Sequence, residues 1–314
     1  MSADQKLAIL KEVFGGYYRS GEEYLFHCPK CKHHKRKLSI NLDKDAFKCW
    51  ICDYRSNSVY RLVRKYADFL NRQKWEEVDS KIDLSESFFE KLFPSSQVEE
   101  EQTVNLPKEF ISLANKVLPI TSVKALKYLK SRGVTREDIV RWKIGYCRTG
   151  EYAGRIIIPS FNSAGYCNFF VARSYTGDWK KYKIPEGLSK DIIFNELYVD
   201  WKNDLVLTEG GFDAITAGNA VPLLGSSLRE DSKLFQEIVK HDTPIYIALD
   251  PDAEKKALRL IKALLSYGVE LYKIDTFGYD DIGEMPKDVF KARKQGAEPM
   301  NASAYLEHEV QGIL

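Results

Sequence analysis

Two stretches decide the fold: Asp204-Leu-Val-Leu-Thr-Glu-Gly-Gly211 and Pro244-Ile-Tyr-Ile-Ala-Leu-Asp-Pro-Asp252. Each opens with a short apolar run and closes on glycine or carboxylate residues. Runs this short, bounded by turn residues, read as buried strands. Val221-Pro-Leu-Leu224, ending in Gly225-Ser-Ser227, reads as another. Val269 to Ile274 reads as a fourth, entering a loop with Asp280, Asp281 and Glu284. Between them lie helical patterns from Phe212 to Gly218, Leu228 to Lys240 and Ala253 to Tyr267. Strand alternating with helix predicts a parallel sheet covered on both faces. In such sheets reactive residues collect at the carboxyl ends of the strands. Glu209, the Gly225-Ser-Ser227 loop, Asp250, Asp252 and Asp281 all fall there.

Carboxylates converging on one sheet edge repel one another unless cations occupy the gap. Mg²⁺ prefers such oxygen ligands and keeps waters for phosphate groups. Any one of these acids could simply decorate a helix N-terminus. Their shared placement points instead to a divalent metal site of Glu209, Asp250, Asp252 and Asp281.

Outward from this block the charge alternates. The chain of 314 residues has a net charge of +2, but residues 1–75 carry +8, 76–103 carry −7, 104–200 carry +7 and 201–314 carry −6. Basic blocks suit a polyanion; solvated surface charge is the plainer reading of charge alone. At 44% hydrophobic and 29% charged residues, wholesale disorder and a rod are excluded. No run of roughly 18 apolar residues exists, so no membrane span is expected. Met1 to Lys11 shows no signal-peptide pattern, and a cytoplasmic protein is expected.

Four of the six cysteines are paired, as Cys28-Pro-Lys-Cys31 and Cys49-Trp-Ile-Cys52, with 17 residues between the pairs. This is the four-cysteine zinc spacing. Each turn aims two thiolates at one ion, and two turns complete a tetrahedron. Leu38 to Leu42 and Ala46 to Lys48 read as short strands joined by an Asp43-Lys-Asp45 turn, making a small zinc ribbon. His27, His33 and His34 adjoin the knuckles, but four thiolates already close the site. These histidines join Lys32, Lys35, Arg36 and Lys37 on one basic face, interleaved with Trp50 and Tyr54. Such a face suits base stacking and phosphate contact; for Phe47, core packing is the better reading. Cys147 and Cys167 lack the spacing and read as core.

Residues 58–75 carry apolar positions at helical spacing and are expected to close the zinc module as one helix. Residues 76–105 turn acidic and read as a linker, with a short helix near Phe88 to Phe93. Ala125 to Arg132 is an amphipathic helix ended by Gly133, and Thr135 caps the next, Arg136 to Trp142. Gly154 to Pro159, Cys167 to Arg173 and Lys181 to Ile184 read as strands. The expected organisation is a zinc domain at 1–75, the linker at 76–105 and a basic α+β subdomain at 106–200. The parallel α/β sheet follows at 201–290, and a helical tail at 291–314.

Glu209-Gly-Gly-Phe-Asp213-Ala, Leu249-Asp250-Pro-Asp252 and Asp281-Ile-Gly-Glu284 resemble the Toprim domain shared by topoisomerases and primases. The doubled knuckle resembles the zinc-binding domain of bacterial and phage primases. Arg155-Ile-Ile-Ile-Pro159, Gly165, Arg173, Lys181-Tyr182, Ile193-Phe-Asn-Glu196 and Ala125-Leu-Lys-Tyr-Leu129 with Arg132-Gly133 resemble the basic half of the primase polymerase domain. In this order the resemblance covers most of the chain and is to DnaG-type DNA primases, of phage-like kind. It departs in using Cys at all four zinc positions, and in placing Gly283 where the third acidic motif often has a second Asp. No G-x-x-x-x-G-K-[ST] motif is present for a fused helicase, and only about 40 residues follow Ile274, too few for a long helicase-binding domain.

The resemblance implies a nucleotidyltransferase, a DNA-directed RNA polymerase of primase type, joining ribonucleoside triphosphates on single-stranded DNA during replication. Mg²⁺ or Mn²⁺ at Asp250, Asp252 and Asp281 would neutralise the triphosphate. Glu209 would be the general acid/base or a metal organiser. Arg155, Arg173, Lys180 and Lys181 would bind template or triphosphate, with Lys35 and Arg36 on the zinc face. A separate replicative helicase and a single-strand-binding protein are the implied partners, in the cytoplasm, that of the host if the chain is phage-encoded. The competing expectation is a non-catalytic zinc-finger/Toprim factor of recombination or repair.

Overall fold

The computed structural model describes residues 3–78, 102–225, 228–250 and 253–311. The expected helix at 88–93, most of the linker, the Ser226-Ser227 pair and Asp252 lie outside them. The chain divides into two compact units. The first holds residues 1–100 with 239–242 and 262–269, and the second holds the remainder.

The first unit opens with helix α1 (Ala3–Phe14), which was not anticipated. An antiparallel sheet follows in sequential order: β1 (Tyr18–Ser20), β2 (Glu23–Phe26), β3 (Leu38–Asn41), β4 (Ala46–Cys49) and β5 (Arg55–Ser56). β3 and β4 are the anticipated ribbon, with Leu38 opposite Cys49. The single helix expected over 58–75 is two, α2 (Val59–Tyr66) and α3 (Phe69–Val78). Ala67 is extended, with ψ 155°, and Asp68 accepts the backbone N–H of Asn71 at 2.8 Å. That side-chain acceptor starts a new helix. Ile9, Leu10, Phe26, Leu62, Val63 and Trp75 then share one core.

The second unit carries two sheets. One is antiparallel, in the order β10 (Tyr182–Lys183), β9 (Cys167–Ser174), β8 (Arg155–Phe161), β7 (Gly145–Cys147), β6 (Phe110–Ser112). Helices α4 (Val123–Ser131) and α5 (Arg136–Arg141) lie between β6 and β7 in sequence. Thr135 and Asp138 cap α5 reciprocally, as its sequence signature requires.

The other sheet runs β12 (Ala220–Pro222), β11 (Leu205–Thr208), β13 (Ile245–Ala248), β14 (Leu271–Lys273), β15 (Glu298–Met300). The first four strands pair in parallel, as anticipated. β11 is an interior strand and all four of its residues are buried, which explains its unbroken apolar run. The connecting helices are α6 (Gly211–Ala217), α7 (Lys233–His241) and α8 (Glu254–Ser266). The tail is not purely helical. Between α9 (Lys287–Gln295) and α10 (Ala302–Gln311) it adds β15, antiparallel to β14.

Because β11 is enclosed on both faces, truncation there leaves a void. Leu207→Ala is expected to cost about 2–5 kcal/mol, read as a lower denaturation midpoint in urea with an unchanged slope.

Candidate active site and metal centre

In the first unit the ligating atoms of Cys28, Cys31, Cys49 and Cys52 all lie within 4.8 Å of one another. The Sγ–Sγ separations are 3.8 Å for Cys28–Cys52 and 3.8 Å for Cys31–Cys49. A Zn–S bond of about 2.3 Å gives a tetrahedral edge of about 3.8 Å, so the cluster fits one zinc ion. Both knuckles are built alike. The residue after each second cysteine, Lys32 or Asp53, is left-handed (φ 52° and 50°), which turns the chain back under the thiols. Among the flanking basic residues, Lys35 pairs with Asp242 at 2.9 Å. Arg36 donates to the Gly16 carbonyl at 3.0 Å and stacks 4.5 Å over Tyr18. Lys37 is fully buried. Phe47 is core, as expected.

In the second unit a cavity of about 690 Å³ is lined by Glu209, Gly210, Asp213, Asp250 and Asp281 together with Arg173, Lys180, Tyr182, Lys183, Glu186 and Lys190. Three of the anticipated acids are therefore brought together. Glu209 follows β11, Asp250 lies just past β13, and Asp281 precedes a short 3₁₀ turn (Ile282–Glu284).

Asp213 is the acid to which the sequence assigned no role. It is 6% exposed, and its carboxylate accepts two backbone N–H groups, Gly210 at 2.7 Å and Gly283 at 2.9 Å. One side chain thus ties the Glu209 loop to the Asp281 loop. Its signal is its spacing: it stands three residues after the helix cap Gly210, where a capping acid belongs. Two cations were also missed. Arg132, at the end of α4, grips both oxygens of Asp281 at 3.0 Å and Glu284 at 2.7 Å. Lys256, in the first turn of α8, pairs with Glu209 at 2.9 Å. Both pairings are long-range, and no periodicity announces them.

Asp250 has no such partner, and its Oδ1 is buried with no hydrogen bond among the described residues. Burial, with Asp213, Glu209 and Asp281 nearby, pushes its carboxyl up to about 7. Burial and Asp281 push Asp213 up to about 6. A buried carboxylate oxygen without a hydrogen bond is the kind of donor a hard divalent cation takes, while among the described residues the four acids do not close into a compact ligand set as the cysteines do.

Among the basic residues of the lining, Arg173 donates to the Tyr128 hydroxyl at 3.0 Å and lies 4.5 Å over the Tyr182 ring. Lys183 pairs with Glu151 at 2.7 Å. Lys181 is exposed beside the cavity lining. Arg155 is not brought to the cavity. It is buried, its guanidinium donating to Asp178 at 2.5 Å and to the Lys180 carbonyl at 2.9 Å.

A parallel sheet with acids at its strand ends, in the same unit as a basic antiparallel sheet, makes a mixed α/β fold. Solved structures similar to it include DnaG primase domains. They include the DnaG primase catalytic domain bound to ssDNA, at 19% identity and TM-score 0.50, over 62% of this chain and 78% of that one. The Escherichia coli primase catalytic core matches at 20% identity and TM-score 0.48, over 62% and 79%. The zinc-binding and RNA polymerase domains of Aquifex aeolicus primase match at 18% identity and TM-score 0.46, over 96% and 87%. Neither a family model nor a curated protein matches the sequence. No helix among the described residues is long and apolar enough to cross a membrane.

Two outcomes are expected from these sites. Cys49→Ser abolishes stoichiometric zinc, measured by atomic emission, and melts the first unit, because the metal's binding energy is folding energy. The second outcome concerns pH. Asp250 and Asp213 have folded pKa values above the roughly 3.9 of an unfolded Asp, so their contribution is full below pH 4 and lost as pH rises through 6 to 7. Metal-free Asp250→Asn should therefore melt above wild type at pH 8, and the gap should close toward pH 4. A gap that widens on acidification contradicts this.

Proposed function

We propose that this chain is a DNA primase of the DnaG type, synthesising short RNA primers from ribonucleoside triphosphates on single-stranded DNA. The observation that carries the reading is the cavity whose lining brings Glu209, Asp213, Asp250 and Asp281 together with Arg173 and Lys180. A triphosphate bound to metal needs both kinds of group at once. In this reading the parallel sheet is a Toprim sheet. Along the chain it is preceded by the basic subdomain at 106–200 and, through the 76–105 linker, by the zinc module at 1–75.

Glu209, Asp250 and Asp281, with Asp252 of the same motif, would hold Mg²⁺ or Mn²⁺. Such ions neutralise triphosphate charge and clamp attacking and leaving oxygens. The remaining work falls to the chain itself. Asp213 fixes the two acidic loops at a set spacing through Gly210 and Gly283. Arg173 is held between Tyr128 and Tyr182, so its guanidinium is oriented before an anion arrives. Lys180 adds positive charge along the same lining, while Lys183 is paired with Glu151. Glu209 serves as proton acceptor or metal organiser. The basic face of the zinc module selects the initiation sequence, and a separate helicase and single-strand-binding protein deliver the template.

The test is labelled ribonucleotide incorporation on single-stranded DNA with Mg²⁺. Wild type should yield template-dependent primers. Asp250→Asn should lower the rate roughly a thousandfold or more, since lost charge neutralisation costs several kcal/mol in the transition state, while strand binding persists. Arg173→Ala should weaken triphosphate or template binding. No incorporation by wild type on any template, or wild-type synthesis by Asp250→Asn, would refute the reading.

A further inference from the structure

The connection between β9 and β10, residues 175–181, carries a tryptophan in an unusual place. Trp179 is 91% exposed, the most exposed of the large apolar side chains among the described residues. An indole left in water forgoes a large burial energy, and interface anchors are enriched in this residue.

The loop that presents it is firmly built. Gly177 supplies the left-handed turn, with φ 85°. Asp178 donates its N–H to Ser174 Oγ at 3.2 Å and accepts the N–H of Lys180 at 3.2 Å. Buried Arg155 clamps Asp178 and the Lys180 carbonyl from below. Lys181 donates to the Trp179 carbonyl at 3.1 Å, and Ser174 to the Lys181 carbonyl at 3.0 Å. Every residue flanking the indole is thus held through its backbone, while the ring stands free of the core.

Its surroundings select the ligand. Lys180 and Lys181 follow directly in sequence, and Asp178, the nearest acid in sequence, is neutralised by Arg155. Lys180, Tyr182, Lys183 and Arg173, on the same hairpin, line the cavity. The tip is therefore aromatic and cationic, and it stands one residue from the cavity lining. An apolar protein surface would match the indole but not the lysines. A duplex would match the lysines but hides its base faces. A single strand offers both phosphates and open base faces.

We propose that Trp179 is a stacking platform for one base of single-stranded nucleic acid on its way into the acidic cavity, with Lys180 and Lys181 holding the adjacent phosphates. This rests on the primase reading for the direction of the strand. Arg155 is then a positioning residue: it makes the platform rigid, so stacking costs little ordering entropy.

The experiment is equilibrium binding of a fluorescein-labelled oligo-dT to the full-length chain without Mg²⁺ or nucleotides, over a series of salt concentrations. Trp179→Ala should weaken binding about tenfold, and Trp179→Phe should keep most of the affinity. Stacking releases no counterions, so the salt slope should be unchanged in Trp179→Ala. It should fall by about 0.7 in Lys181→Gln. Binding should quench tryptophan fluorescence in wild type and far less in Trp179→Phe. Equal affinity of wild type and Trp179→Ala, with primer synthesis intact, overturns this proposal alone; an equal loss on duplex DNA of the same length does so too. A wild-type chain that binds no single strand overturns it together with the primase reading.

Discussion

Four carboxylates are held at one edge of a parallel sheet, and the second unit is arranged around the cost of that crowding. Two unit charges 4 Å apart interact by about 4 kcal/mol at an effective dielectric constant of 20, so four of them need a settlement built into the fold. Each acid finds a different one. Glu209 takes Lys256 from α8, and Asp281 takes Arg132 from α4. Asp213 takes two backbone N–H groups. Asp250 takes none for its Oδ1 among the described residues, and burial together with the neighbouring acids raises its pKa. The charge balance also joins distant parts of the chain. Arg132 lies between β6 and β7 in sequence, yet its guanidinium serves the parallel sheet and rests 5.5 Å over Phe212. The helix ending in Arg132-Gly133 is thereby part of the acidic site.

The basic residues divide by the same logic. Positive charge in residues 104–200 looks uniform as a count, but the fold gives it two kinds of work. Arg132 and Arg155 are turned inward, with side chains 10% and 5% exposed, and each neutralises a specific acid. Arg173 and Lys180 line the cavity, where a charge can meet a ligand. Arginine suits the inward positions because its planar fork satisfies several acceptors at once. Arg155 reaches both a carboxylate and a carbonyl from one buried position. A buried arginine without these partners would be costly. Asp178 and the loop conformation around it are therefore part of the same interaction.

This division explains which features were legible in the sequence. The interior strands at 205–208 and 245–248 stood out because burial on both faces demands unbroken apolar runs. The two knuckles stood out because metal geometry fixes their spacing. Glu209, Asp250 and Asp281 followed from strand order alone. What periodicity cannot carry is partnership across the chain. Lys256 carried no mark in the sequence, Arg132 stood only within the resembling run that ends at Gly133, and Arg155 read as a cation for template or triphosphate rather than as the buried partner of Asp178. The break between α2 and α3 was hidden for a related reason. The apolar spacing continues through Ala67, and only the cap made by Asp68 interrupts it. β15 is three residues long with two of them exposed, so it carries no strand signature.

Gly283 shows how one of these hidden partnerships constrains the sequence itself. Primases of the resembling family often carry a second aspartate there, and this chain carries none. A Cβ at Gly283 would stand 2.9 Å from the Arg132 guanidinium and 3.0 Å from Asp213 Oδ1 and Phe212 Cβ. The space is already filled by the groups that hold the loop: Gly283 donates its N–H to Asp213, and Arg132 crosses it to reach Asp281 and Glu284. A carboxylate at 283 would add a fifth negative charge and displace the cation that offsets Asp281. Glycine is what the local packing admits, and Glu284, one residue on, supplies a carboxylate to the outer side of the same arginine. The missing aspartate and the bidentate Arg132 are thus two aspects of one arrangement, in which a fixed cation stands where the family's pattern would add another acid.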